Sequence, residues 1–139
     1  MKIFESMAIS GSALTAEKLR MDLISNNIAN MNTTRTPTGG PYRRQVALFS
    51  QRLEKASQGE RASLGVQVRG VVHDPSPARL VHEPDHPDAN EDGYVAYPNV
   101  DMVKEMVDMV TATRSYEANV TVLNAAKNMF LKALEIGRG

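Results

Sequence analysis

The sequence predicts a mainly α protein in which two long terminal helices flank a small β insertion. Apolar residues recur every seven positions at both ends of the chain, which is typical of helices that pack as coiled coils. All seven prolines lie between Thr33 and Pro98, so no long helix is expected there. We therefore predict an N-terminal helix (residues 1–34), a β-rich and loop insertion (35–98) and a C-terminal helix (99–139), the two helices forming a coiled-coil stalk with the β unit at its tip.

The N-terminal helix is predicted from about Ile3 to Asn30, a length of about 40 Å at 1.5 Å per residue. One row of apolar residues at intervals of seven comprises Met7, Leu14, Met21 and Ile28. Ile24 belongs to a second row, which Ser10 and Glu17 interrupt. Asn26, Asn27 and Asn30 mark the end of the helix, because asparagine tolerates the left-handed conformation found there.

Two stretches of the insertion interleave apolar and polar residues, as strands with one buried face do. They are Tyr42–Leu53 and Leu64–Val72, and we expect a hairpin-like β unit from them. The polar linker between them, Glu54–Ser63, is expected to be mobile. His73–Asp92 is rich in proline and acidic residues, which indicates an extended loop with at most one short strand near Arg79–His82.

The C-terminal helix is predicted to begin after Pro98, with Asn99 as its N-cap, and to continue to about Ile136, where Gly137 ends it. Two rows at heptad spacing run along it. The first row comprises Met102, Met109, Tyr116, Leu123 and Phe130, and the second comprises Met106, Thr113, Val120, Lys127 and Leu134.

A further apolar stripe lies beside these rows on the same helix. It comprises Val103, Val107, Val110, Val122, Ala126, Met129, Ala133 and Ile136. The surface helix of a monomeric protein needs one apolar face, and one face here can pack on the N-terminal helix. The other face has no evident partner within so short a chain, so we predict that it contacts other subunits.

The composition excludes several classes of function. Without cysteine, the chain cannot form disulfides, thiol nucleophiles or cysteine-based zinc sites. Sixteen basic residues balance sixteen acidic ones, so no net field attracts nucleic acid or a membrane surface. Polar residues between Glu5 and Ser12 interrupt the apolar run that a cleaved secretory signal requires, and no stretch approaches the roughly 20 apolar residues that span a bilayer.

Charge is nonetheless segregated along the chain. Residues 1–70 contain ten basic and five acidic residues, whereas residues 71–98 contain one basic and six acidic residues. Such separation suits head-to-tail contacts in which the basic surface of one subunit meets the acidic loop of the next. It is equally compatible with two solvated patches, and the sequence leaves both interpretations open.

The residues that could carry chemistry favour structural explanations. His73, His82 and His86 lie in the proline-rich loop, where solvated side chains are the more common outcome. Asp88–Gly93 matches the start of an EF-hand calcium loop, but Asn99 stands where that loop requires a bidentate glutamate. We therefore favour an acidic turn, and we expect no catalytic residues, no metal and no cofactor.

Three stretches resemble the bacterial flagellar rod and hook axial protein family. They are SALTAEKLRMDLISNNIANMNTTRT near the N-terminus, GYVAYPNVDMVKEMVDM from Gly93 to Met109, and RSYEANVTVLNAAKNMFLKALEIGR at the C-terminus. The first stretch is typical of the rod members of the family. The resemblance thus covers both ends of the chain, whereas Ser57–His86 is not diagnostic.

The resemblance implies a structural subunit of the proximal rod that assembles with copies of itself and with other rod proteins. It also implies export through the flagellar type III apparatus without a cleaved signal, and a periplasmic location in the flagellar basal body. The terminal helices would pack in the inner tube of a helical assembly. The resemblance further favours donation of the Asn26 and Asn27 side-chain amides to the backbone of a neighbouring chain, whereas the residues alone indicate no more than a helix cap.

Two other functions are compatible with the residues alone. The heptad periodicity permits a soluble coiled-coil adaptor or chaperone, and the acidic loop permits a small calcium-dependent binding module. An adaptor should form an oligomer of fixed size, a rod subunit should polymerise, and a calcium module should gain stability with the ion.

Overall fold

The computed structural model describes residues 2–55 and 61–139. Helix α1 (Lys2–Ala29) is followed by strands β1 (Gln45–Lys55), β2 (Arg61–His73), β3 (Arg79–His82) and β4 (Tyr94–Tyr97), and then by helix α2 (Met102–Gly137). The prediction of two long helices that flank a small antiparallel β region is thus confirmed.

The start of α2 differs from the prediction. The N-cap is Asp101, whose carboxylate accepts hydrogen bonds from two backbone N–H groups of the first turn. The Asn99 side chain instead accepts from the backbone N–H of Arg44 and donates to the carbonyls of Asp74 and Ser76. Both residue types are good N-caps. Long-range hydrogen bonds, which the local sequence does not reveal, decide which of them caps the helix.

The two helices pack side by side in opposite directions. Near the start of α1, Phe4 meets Phe130 of α2 edge-on, with ring centroids 5.3 Å apart. Near the end of α1, Asn27 lies 3.3 Å from the carboxylate of Glu105, close to the start of α2. Because α2 begins beside the end of α1, the loop and strands that connect the helices start and finish at the same end of the helix pair.

The face of α2 that packs on α1 carries one of the two predicted rows. Met109, Tyr116, Leu123 and Phe130 of the first row are half-buried. The buried residues beside them are Glu105, Ala112 and Ala126, each one position before a member of the second row. Met106 and Leu134 of that second row are 54% and 50% exposed. The middle of the second row still meets α1, because Thr113 is half-buried and its hydroxyl lies 3.7 Å from Met21 Sδ. The small alanines allow close approach of the helices, and the bulkier residues at the two ends of the second row are left outward.

Strands β1 and β2 form the predicted antiparallel hairpin, with Gln45 opposite His73 and Gln51 opposite Val66. The strands reach Lys55 and resume at Arg61, so the segment between them is shorter than the predicted linker. The expected mobility of that linker concerns residues 56–60, which lie outside the described residues.

The hairpin lies along α1, whereas the sequence predicted it at the tip of the helix pair. At its base, the backbone of Gln45 binds the side chain of Asn27. Further along, the Val66 N–H donates to Ser12 Oγ over 3.0 Å. The two contacts are about 22 Å apart along α1, from Ser12 to Asn27, and about 20 Å apart along β1, from Gln45 to Gln51, which pairs with Val66. The two spacings agree, so the hairpin runs beside the helix. A two-stranded hairpin is marginal alone, so packing on α1 supplies the stability it lacks.

A second, shorter hairpin precedes α2. The strand predicted at Arg79–His82 is confirmed as β3, and it pairs with β4, which the sequence analysis did not predict. Val95 in β4 is fully buried. The run Tyr94–Tyr97, bounded by Gly93 and Pro98, carries a strand signal, but four residues are too few to establish a periodicity.

Candidate assembly surface

A buried polar cluster lies where α1, α2 and the base of the long hairpin meet. Glu105 of α2 is fully buried. Arg44, immediately before β1, donates from Nε to Glu105 Oε1. Its terminal nitrogens lie 3.3 Å from Asp74 Oδ2 and 3.4 Å from Asp108 Oδ2. Because an unpaired buried carboxylate is costly, the fold depends on Arg44 reaching Glu105.

Asn27 completes this cluster from α1. Its Oδ1 accepts hydrogen bonds from the Tyr42 hydroxyl and the Gln45 N–H, each over 2.9 Å. Its Nδ2 donates to the Gln45 carbonyl over 3.0 Å and to Glu105 Oε2 over 3.3 Å. A side-chain amide has two donor hydrogens and two acceptor positions, and all four are engaged. Within the single chain, Asn27 thus binds Tyr42, Gln45 and Glu105, and its contact with a neighbouring chain stays a prediction.

The other asparagines at the end of α1 behave differently. The Asn26 carbonyl accepts from both the backbone N–H and the side-chain Nδ2 of Asn30, at 3.0 and 2.9 Å. Asn30 thus caps the helix end, as the residues alone indicated, but not through the expected left-handed conformation, since no described residue other than glycine has a positive φ. Asn26 is exposed, and contact of its side chain with a neighbouring subunit stays a prediction.

The cluster also perturbs Tyr42. Burial raises the pKa of its hydroxyl above the ordinary value, and the negative charge of Glu105 raises it further. Both effects disfavour the phenolate. The hydroxyl therefore stays protonated near neutral pH and remains a donor to Asn27.

The side chains of the acidic loop bind within the chain. Asp88 accepts hydrogen bonds from Arg35 Nε at 3.1 Å and from the Thr34 hydroxyl at 2.8 Å, and these bonds, Arg35 first, hold the pKa of Asp88 below its ordinary value. Asn90 Oδ1 accepts from the Tyr94 N–H at 2.8 Å. Of the three side chains in the EF-hand-like match, Asn90 thus stabilises the turn itself, and Asp88 ties the loop to the segment after α1. Within residues 2–55 and 61–139, no three metal-binding side chains converge.

The histidines of this region pack on aromatic rings or face solvent. His82 meets Tyr94 edge-on with ring centroids 5.0 Å apart, and His86 meets Tyr97 at 6.3 Å. His73 is exposed. The two packed histidines therefore contribute to the short β3–β4 hairpin.

The structure reduces the charge segregation that the sequence shows. Arg35 with Asp88 and Arg44 with Asp74 pair basic residues of the first half with acidic residues of the loop inside one chain. Acidic residues that remain exposed are Asp85, Glu91 and Asp92. The charge available for contacts between subunits is thus smaller than the sequence totals indicate.

An apolar strip lies on the outer face of α2, opposite to α1. We define it by Val103, Met106, Val107 and Val110, which are between 54% and 70% exposed. These residues and Thr111 line a shallow recess. Three of the four belong to the further apolar stripe of the sequence analysis, and Met106 belongs to the second heptad row. None of the helices in the described part of the chain is both long and apolar enough to cross a membrane.

The residues predicted to pack subunits fall into three groups. Ile24 and Asn27 are buried within the chain. The half-buried residues are Met7, Leu14, Met21, Ile28, Met109, Tyr116, Val120, Leu123 and Phe130. The exposed ones are Asn26, Met102, Met106 and Leu134. The single chain thus covers the first group, covers the second in part and leaves the third at its surface.

Sequence reasoning places Arg44 on an exposed strand face and Glu105 among the exposed positions of the C-terminal helix, and the structure corrects both, because Glu105 is fully buried and Arg44 reaches it. A weak signal for Glu105 exists, because it lies four positions before Met109 of the packed row. A residue four positions from a member of that row lies on the same helix face. The sequence carries no comparable signal for Arg44.

Comparisons with known proteins agree with the architecture at both ends of the chain. The family described as flagella basal body rod protein matches residues 7–35, and the family described as flagellar basal body rod FlgEFG protein C-terminal matches residues 91–136. Asn27 lies in the first matched segment and Glu105 in the second. The buried cluster therefore joins the two segments.

Several relatives match over the full length. The flagellar basal-body rod protein FlgC of Bacillus subtilis is 49% identical, with 99% of this chain and 100% of the relative covered. FlgC of Borreliella burgdorferi is 45% identical, with both chains covered completely. FlgC of Salmonella typhimurium is 41% identical over 99% of this chain and 100% of the relative. This chain therefore belongs to the FlgC family of flagellar basal-body rod proteins.

Proposed function

We propose that the chain is a structural subunit of the proximal rod, which assembles with copies of itself and with other rod proteins through its terminal helices. Membership of the rod family gives the class of function. The single observation that carries the mode of assembly is the exposed apolar strip on α2, because a large exposed apolar surface marks a site of contact with another protein.

The strip is sufficient to contribute substantially to assembly. Fully burying a valine or methionine side chain is worth about 1.5–3 kcal/mol. Its four residues are 54–70% exposed, so roughly half of that value, about 1 kcal/mol per residue, remains for a neighbouring subunit to supply. Exposed ion pairs are worth roughly 0–1 kcal/mol each. The strip therefore holds subunits together, whereas the exposed acidic loop orients them. In the assembly, we expect the helices of neighbouring chains to pack as coiled coils.

We further propose that the chain reaches the periplasm through the flagellar type III export apparatus without losing a signal peptide. The N-terminal half of α1 supports this route because it is part of the fold. Ser12 accepts a hydrogen bond from Val66 of the hairpin, and Ala16 is buried. Removal of these residues would expose the hairpin. The intact mass of the chain in purified basal bodies tests the proposal, and a mass that lacks the N-terminal residues would contradict it.

The test of assembly places a charge in the strip. Val107→Asp should leave the helix content of the isolated chain unchanged, because the side chain is 59% exposed. In the rod, the same carboxylate would be buried without a partner, so incorporation into basal bodies and swimming should be lost. Asn124→Asp is the matched control, since it adds the same charge at an exposed position of α2 outside the strip.

Three outcomes separate the candidate functions. Loss of incorporation with Val107→Asp but not with Asn124→Asp supports rod assembly through the strip. Normal incorporation of both variants would show that the strip contacts no subunit. A soluble oligomer of fixed size, absent from basal bodies, would instead indicate the adaptor function.

A further inference from the structure

The hairpin is attached to the helix pair at two places, its base and the contact of Val66 with Ser12 of α1. The backbone N–H of Asp74, just after β2, donates to the carbonyl of Arg44, just before β1, over 2.8 Å and closes the hairpin. The Arg44 side chain then extends from this closed base to α2, where it contacts Glu105 and Asp108. One guanidinium therefore connects both ends of the hairpin to the C-terminal helix.

Glu105 divides its two oxygens between the hairpin and α1. Oε1 accepts from Arg44, and Oε2 accepts from Asn27, which in turn binds the backbone of Gln45 at the first residue of β1. The carboxylate is fully buried, so both contacts are shielded from solvent. Such charge-assisted hydrogen bonds are directional and strong, and they specify an angle as well as a distance.

Beside this base, the hairpin packs less closely on α1. A crevice of about 270 Å³ lies there, with an apolar lining that includes Leu23, Ile24, Val46 and Phe49 and a polar lining that includes Arg44 and Asp108. Apolar contacts are not directional, so they do not fix how the base of the hairpin turns about the contact at Ser12. The polar contacts at its base therefore set its orientation.

We propose that Glu105 and Arg44 are positioning residues for assembly. The charge of Glu105, acting through Arg44, sets the angle of the hairpin relative to the helix pair, so that the hairpin and the apolar strip of α2 reach neighbouring subunits together. This proposal rests on the proposed function as a rod subunit. Its structural half can be measured on the isolated chain and does not depend on that function.

The test measures two distances between spin labels, which the absence of native cysteine makes straightforward. One pair, at His73→Cys and Lys18→Cys, reports on the base of the hairpin relative to α1, since His73 pairs with Gln45. The other pair, at Lys18→Cys and Arg114→Cys, reports on the two helices. All three positions are exposed. Both distances are measured in the chain with native Glu105 and in Glu105→Gln, which keeps the shape of the side chain and removes its charge.

With Glu105→Gln, we expect the single narrow hairpin distance to be lost while the helix–helix distance is retained. Arg44→Lys keeps the positive charge but loses the forked contacts, so it should broaden the hairpin distance less. Glu117→Gln neutralises an exposed carboxylate of the same helix and should change neither distance. An unchanged hairpin distance in Glu105→Gln would overturn the proposal. Equal broadening of both distances would also overturn it, because Glu105 would then stabilise the helix pair in general.

A swimming assay completes the test. If Glu105→Gln broadens the hairpin distance, we expect loss of swimming at normal protein levels. Normal swimming of that variant would show that hairpin orientation is not needed for assembly and would overturn the functional half of the proposal. Failure of the unmutated chain to restore swimming to a strain that lacks it would instead contradict the proposed function.

Discussion

Replacement of Gly65 by alanine tests how the long hairpin is seated on α1. Gly65 is buried in β2 with φ +100°, a conformation that residues with a side chain rarely adopt. A Cβ at this position would lie 2.2 Å from Ser12 Oγ and 3.1 Å from the Cα of Ile9. The serine hydroxyl can rotate away, but the helix backbone at Ile9 cannot yield without moving α1.

The magnitude follows from two contributions. Holding a residue other than glycine in a sparsely populated backbone conformation costs about 1–3 kcal/mol. Rotation of Ser12 removes the acceptor of the Val66 N–H, and a buried donor left unpaired costs about 1–3 kcal/mol. We therefore expect Gly65→Ala to lower the free energy of unfolding by about 2–6 kcal/mol. For comparison, domains of ordinary size are stable by about 5–15 kcal/mol in total.

Urea unfolding followed by circular dichroism measures this change. Gly70→Ala is the matched control, because Gly70 lies in the same strand and a Cβ there would have no heavy atom within 4 Å. It should change the free energy of unfolding by less than about 1 kcal/mol. In the Gly65→Ala background, Ser12→Ala should cost less than it does alone, since it also removes the clashing oxygen. Equal stability of Gly65→Ala and Gly70→Ala would refute the described seat of the hairpin.

Two further predictions concern the helix pair and the acidic loop. Ala112 is fully buried between the helices, so Ala112→Leu should lower the free energy of unfolding by about 1–3 kcal/mol through overpacking. Ala118→Leu, at an exposed position, should be nearly neutral in the same urea experiment. Equal effects of the two substitutions would contradict the assigned packing face. The pKa of Asp88 is lowered in the folded chain, first by Arg35, so the unfolded chain binds the proton more readily and stability should fall as the pH drops below about 4. Arg35→Gln should make this acid-induced loss shallower, and an unchanged pH profile would show that the pair contributes nothing to stability.

The sequence by itself determined the elements whose signals are local. Heptad spacing predicted both helices, because side chains three or four positions apart share a helix face whatever the rest of the chain does. Alternation predicted β1 and β2 for the same reason, with a period of two. The presence of two apolar faces on α2 was also predictable, since residues such as Val103 and Val107 cannot lie on the same face as Tyr116. Which face lies outward was decided by packing, which buries Ala126 of the predicted stripe. The family resemblance in the terminal motifs gave the class of function.

Only the tertiary structure decided how these elements meet. It placed the hairpin along α1 instead of at the tip, and it made Asp101 the N-cap in place of Asn99. It also directed Asn27 into its own chain, where the amide binds Gln45 and Glu105. These choices depend on partners 18 to 78 positions apart in the chain, so no local pattern contains them. A polar group that is removed from water must find a hydrogen-bond partner inside the fold. Burial therefore decides which of several similar polar residues, such as Asn99 and Asp101, makes which contact.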